Sequence, residues 1–139
     1  MSFREKTAWV TLIAILIVSA MFFLHGADVF QPDPGSWELH MLGLSVVAFI
    51  LIEVIAYVVL YVRNPKDART PRDEREQLID LKATRLAARV YVIGSFVALA
   101  ALPIHGASGF AVGFGVLMAF VIAEIVNYSA RILYYRRGF

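Results

Sequence analysis

The chain has no cysteine. Disulfides, thiolate metal sites and haem attachment through a C-x-x-C-H motif are therefore excluded. Lysine and arginine are missing from most of its length, because all thirteen fall in three blocks. The first block is Arg4 and Lys6. The second is Arg63, Lys66, Arg69, Arg72, Arg75, Lys82, Arg85 and Arg89, and the third is Arg131, Arg136 and Arg137. Also missing are G-x-S-x-G, H-E-x-x-H, GxGxxG and a phosphate loop, so the chain is not read as an enzyme. No nucleic-acid-binding fold is legible either. The net charge of +2 and pI near 9.1 come from basic residues flanking apolar runs, so no nucleic-acid partner is expected.

What fills the gaps between the basic blocks is apolar. Hydrophobic residues make up 60% of the chain and the mean hydropathy is +0.70, above the roughly 45–50% apolar content of soluble domains. A helix crossing about 30 Å of hydrocarbon needs roughly 20 apolar residues, and four such runs are present. They place spans at about 7–25, 37–62, 86–105 and 110–135, with a charged loop and helix start over 63–85. The expected fold is all-α: a four-helix transmembrane bundle, one integral membrane domain over 1–139, with the lipid bilayer as its first partner. Segments rich in Lys and Arg stay in the cytoplasm, which puts both termini and the central loop inside. The first run has Val18-Ser19-Ala20 as a formal cleavage site, but it continues through Met21 to Leu24. It is long enough to cross and is read as a retained span.

Pro32 and Pro34 end any helix after the first span, and Asn64-Pro65 ends the second. The central loop restarts as a helix at Thr70-Pro71-Arg72-Asp73. Thr70 is the expected N-cap, with Pro71 at the first helical position. Asp73, Glu74 and Glu76 then complement the helix dipole. The stretch Asp73-Glu74-Arg75-Glu76-Gln77-Leu78-Ile79-Asp80-Leu81-Lys82-Ala83 resembles the D-E-R-E-x-x-I-x-x-K-A signature of small prokaryotic integral membrane proteins of unknown function. There too the motif leads into a transmembrane helix. The resemblance covers about a tenth of the chain. It implies a multi-pass protein of a bacterial or archaeal plasma membrane, and no known reaction.

The two halves share landmarks. Leu24-His25-Gly26-Ala27 closes the first span and Ile104-His105-Gly106-Ala107 the third. Glu53 and Tyr57 on the second span are echoed by Glu124 and Tyr128 on the fourth. The expected architecture is therefore two helical hairpins related as parallel repeats about the membrane normal.

Three groups of residues are candidates for chemistry. Glu53 and Glu124 lie within spans, where an acid costs on the order of 2.5–3.5 kcal/mol at the centre. They are expected at similar depth, in a polar cluster with Arg89, Asn127, Arg131, Tyr57 and Tyr128. The cluster reads either as a structural clamp or as a proton or substrate site. His25, His40 and His105 form the second group, expected at the outward end of the bundle. His-Gly at a helix end makes a favourable C-terminal cap. The alternatives are a transition-metal site or haem b held between His25 and His105; no cofactor is the leading expectation. The third group is small. Gly109 and Gly113 form a G-x-x-x-G, and Ala111, Gly115, Ala119 and Ala123 recur every four residues. Small residues let helix backbones approach in lipid. They serve packing within the bundle or a homodimer seam through Gly109, Gly113, Gly115 and Ala119.

The functional reading is a small multi-pass membrane protein that binds a partner or a small solute. Two alternatives stand beside it: a proton-coupled small-molecule transporter using Glu53 and Glu124, and a membrane metal or haem protein using His25 and His105.

Overall fold

The computed structural model describes residues 3–25, 36–63, 65, 73–106 and 109–137. Its architecture is four helices in chain order: α1 (Phe3–His25), α2 (Ser36–Arg63), α3 (Glu74–Ile104) and α4 (Gly109–Arg137). Each apolar run of the sequence has become one helix, because in a medium without water the backbone must satisfy its own hydrogen bonds. Among the described residues three helices are long and apolar enough to cross a membrane: α2 from Val46 to Arg63, α3, and α4 from Ala111 to Arg137. The charges of α1 are confined to Arg4, Glu5 and Lys6 in its first turn, and the stretch 7–25 has no Asp, Glu, Lys or Arg.

The start of α3 differs from the expectation at Thr70. The N-cap is Asp73, in extended conformation (φ −69°, ψ 152°), and its Oδ1 accepts from the Glu74 amide at 2.7 Å. Aspartate is a preferred N-cap, and Glu76 then falls at the third helical position, where an acid suits the dipole. At the other end, the His105 amide donates to Ala101 and Leu102 carbonyls and the Gly106 amide to Pro103. Gly106 takes φ +75°, the left-handed turn that only glycine adopts without steric cost. The histidine-glycine pair is thus a helix terminator at this end.

The principal contacts run α2 to α1, α1 to α4 and α4 to α3. A two-fold exchange of the halves would turn the α1–α4 contact into an α3–α2 contact, and no such principal contact exists among the described residues. The reason lies in the side chains. α4 meets α3 through a small-residue stripe that α2 lacks.

That α3–α4 contact is tight. Ile79, Ala83, Ala87 and Ala98 are buried on α3, and Ala111, Ala119, Ala123 and Ala130 on α4. A Cβ on Gly94 would sit 2.8 Å from the Ala119 Cβ, and one on Gly115 would sit 2.7 Å from Leu102 Cδ1 and 3.1 Å from Ala98 Cβ. At Gly94 the Ala119 Cβ leaves no room for a side chain, and at Gly115 even a methyl group would displace the Leu102 side chain and crowd Ala98. A Cβ on Gly109 or Gly113, by contrast, would meet nothing within 4 Å. Of the small-residue ladder, then, Gly115 and Ala119 serve the hairpin. Between Val46 and Val62 the only charged residue of α2 is Glu53, and no residue from Val46 to Arg63 is buried. A helix of that kind needs an apolar solvent around it.

Gly115→Leu is expected to destabilise the protein by about 1–3 kcal/mol, the usual range for overpacking, and to lower the detergent melting temperature. Gly113→Leu on the open side should leave it nearly unchanged. Equal melting temperatures for the two variants would show that the α3–α4 approach is not close.

Candidate functional site: an apolar cavity with two membrane carboxylates

Glu53 is carried on α2, where its neighbours in sequence are Ile52 and Val54. Apolar surroundings make an isolated carboxylate expensive, so it must find partners across the helix contact. On α1, Thr11 is buried at 4% exposure, and its Oγ1 donates to Glu53 Oε2 at 2.9 Å. The second oxygen, Oε1, is buried and has no hydrogen-bond partner among the described residues.

Glu124 reaches the same space from α4. Its Oε2 accepts from Asn127 Nδ2 at 3.4 Å, and Asn127 Oδ1 accepts from Arg131 Nε at 3.2 Å. These are neighbours three and four residues apart, which a helix places on one face. Arg131 also reaches Asp80 of α3 at 3.5 Å and lies 5.3 Å from the Tyr128 ring centroid. A continuous polar chain therefore runs from Asp80 through Arg131 and Asn127 to Glu124.

Between α1, α2 and α4 lies a cavity of about 380 Å³. Its polar lining comes from Thr11, Ser19, Glu53, Glu124 and Tyr128, and the rest is aliphatic or aromatic, including Ile15, Phe49, Leu117 and Phe120. Tyr128 has Thr11 as a hydrogen-bonding neighbour and feels the charges of Arg131, Glu124 and Glu53. A largely apolar pocket with a few convergent polar groups is the usual form of a small-molecule site.

Of the expected polar cluster, Glu53, Glu124 and Tyr128 meet at this cavity, with Asn127 and Arg131 directly behind Glu124. Arg89 is exposed on α3. Tyr57 is 51% exposed, stacked on Tyr61 and edge-on to Phe3. The sequence reading missed Thr11, an unremarked hydroxyl in an apolar run. It also missed three ion pairs that gather one end of the molecule: Arg4 with Glu76, Glu5 with Arg136 at 3.9 Å, and Asp80 with Arg131. Arg136 also covers the Trp9 ring at 5.2 Å. Glu76 and Asp80, one helical turn apart, were the legible sign that α3 has an acidic inner face.

His40 and His105 are exposed, and the side chain of His25 lies outside the described residues. Asp28 and Asp33 lie outside them as well. Among the described residues no three His, Asp or Glu side chains converge on a common point.

Asn127 is 7% exposed and serves both Glu124 and Arg131. Asn127→Leu strips partners from two charged groups and should cost about 1–3 kcal/mol, read as a fall in chemical or thermal stability in detergent. Leu133→Ala on the exposed side of the same helix is the reference, and a loss no larger than that one would mean the bridge contributes nothing.

A family model described as predicted membrane protein (DUF2178) matches residues 4–139. The chain belongs to that family. No curated protein and no solved structure matches it.

Proposed function

We propose that this chain is a four-span protein of a prokaryotic plasma membrane that holds a small lipophilic solute in the cavity between α1, α2 and α4. Glu53 anchors a cationic or hydrogen-bond-donating group on that solute, and the protein carries out no reaction of its own. The observation that carries the reading is Glu53, which lines this largely apolar cavity and whose Oε1 is a buried carboxylate oxygen without a hydrogen-bond partner among the described residues. Such an oxygen is satisfied either by a proton or by a group that a ligand supplies. The apolar walls select a ligand with a hydrophobic body, and the carboxylate selects its polar end.

The same two carboxylates support a second reading. A proton and a cationic solute compete for Glu53, so binding one releases the other. With Glu124 lining the same cavity, that competition is the elementary step of proton-coupled exchange. In this reading the cavity opens alternately to the two sides of the membrane.

Topology enters the proposal through the ion pairs. They bring the starts of α1 and α3 and the end of α4 to one end of the molecule. The basic blocks therefore share one side, which the distribution of Lys and Arg assigns to the cytoplasm. A fluorescent protein that folds only in the cytoplasm, fused after Phe139, is expected to glow; a dark fusion with a C-terminus open to external protease overturns this orientation.

The binding reading is tested on the purified full chain in detergent with tetraphenylphosphonium, a lipophilic cation, by titration calorimetry. Glu53→Gln is expected to weaken binding tenfold or more, equivalent to at least ~1.4 kcal/mol, while Thr11→Val has a smaller effect. Equal affinity in the wild type and in Glu53→Gln/Glu124→Gln removes the carboxylates from the site. Repeating the titration in buffers of different ionisation enthalpy tests the second reading, which requires a proton released for each cation bound; binding without proton release removes it.

A further inference from the structure

The cytoplasmic half of α3 is segregated by charge. Glu76 and Asp80 point into the molecule, paired with Arg4 of α1 and Arg131 of α4. They share that side with the buried residues Ile79, Ala83 and Ala87. Arg75, Lys82, Arg85 and Arg89 are exposed. At 100° per residue these four basic residues fall within about 80° of arc on the other side of the helix. On the same projection Glu74, at the tip, is the acid of this segment closest in angle to the arc.

Depth makes the arc specific. Counting back from Ile104 at 1.5 Å per residue, Arg89 lies roughly 22 Å and Arg85 roughly 28 Å from the far end of the span. A hydrocarbon core of about 30 Å therefore has its boundary at Arg85, with Arg89 just inside it. An arginine there extends its head to the phosphate layer while its stem stays in the hydrocarbon. Deeper on the same arc, Ile93 and Phe96 are 64% and 69% exposed. One helix face thus offers guanidinium groups at headgroup depth and a continuous apolar strip beneath them.

We propose that this face of α3 is a binding site for an anionic phospholipid of the surrounding bilayer. Arg85 and Arg89 hold its phosphate, Lys82 and Arg75 add to the field, and Ile93 and Phe96 lie along its acyl chain. Guanidinium groups suit phosphate because they present paired donors in a plane. The site is separate from the cavity: α3 contributes none of the cavity's lining. Its charge complements a negative headgroup, and its apolar continuation has no use for a soluble anion.

The test uses the full chain in mixed micelles with phosphatidylglycerol or phosphatidylcholine, and native mass spectrometry reads the lipid retained. Phosphatidylglycerol is expected to be retained preferentially. Arg85→Gln/Arg89→Gln should weaken its retention about thirtyfold, at roughly fivefold per basic residue near the headgroups. Arg85→Lys/Arg89→Lys should keep part of the preference, and Arg63→Gln/Arg137→Gln, which removes the same formal charge from the same end, should keep nearly all of it. Each single glutamine variant is measured as well, so that poor folding of the double variant leaves the test standing. Added inorganic phosphate should not displace the lipid. The proposal is overturned by equal retention of the two lipids, by glutamine variants that bind like the wild type, or by an equal loss in Arg63→Gln/Arg137→Gln.

Discussion

Apolar helices in lipid gain little by facing one another, because lipid tails are as apolar as leucine. Close backbone approach and polar pairing decide their arrangement instead. In this chain both are concentrated on α4. One side of that helix carries Ala111, Gly115, Ala119 and Ala123, and α3 closes on it to the limit that Gly94 and Gly115 permit. The other side carries Glu124 and Tyr128 toward α1 and α2. Asn127 and Arg131 sit between the two sides and connect them. Without α4, α1 and α2 would keep the Thr11–Glu53 hydrogen bond and α1 would keep its ion pair to α3, but the close-packed seam and the polar chain would both be lost.

The polar chain from Asp80 to Glu124 gives this arrangement a functional direction. Asp80 lies among the ion pairs at the charged end of the molecule, and Glu124 lies in the cavity. Arg131 and Asn127 join them within the span of α4. A change in the charge of Glu124 is therefore felt by the same arginine that ties α3 to α4. The cavity and the charged end are thus joined by a chain of side chains in contact.

How much of this was legible in the sequence follows from what spacing can report. The helices were legible, because four long apolar runs bounded by proline, glycine and charge leave few alternatives. Pairs on one helix were also legible: Asn127 and Arg131 stand three and seven residues after Glu124, and all three were placed on one face. Counting along the helices sets Arg89 level with the glutamates. Azimuth across helices was not legible, and Arg89 turned out to face outward, away from the helix side on which Glu76 and Asp80 are paired. Thr11 with Glu53 and Asp80 with Arg131 join helices far apart in the chain, and no periodicity announces which faces will meet. The cap of α3 moved from Thr70 to Asp73 for a local reason: two good capping residues stand three apart, and only the second puts Glu76 in the first turn.

The two hairpins differ in the kind of contact they make, and the cavity is a consequence. Between α3 and α4 alanine and glycine carry the close approach, with Tyr91 edge-on to Phe120 beside it. Between α1, α2 and α4 large residues, Ile15, Phe49 and Leu117 among them, line a gap that they do not fill. Close packing would have left no room for Glu53 to be anything but a clamp paired at both oxygens. Thr11 supplies one donor, and a second protein donor is absent among the described residues. A site that serves only to hold helices together gains by satisfying every buried acceptor. An acceptor left without a protein partner on a residue that lines a cavity leaves a place for a proton or a ligand group. For that reason the binding reading is preferred to the purely structural one.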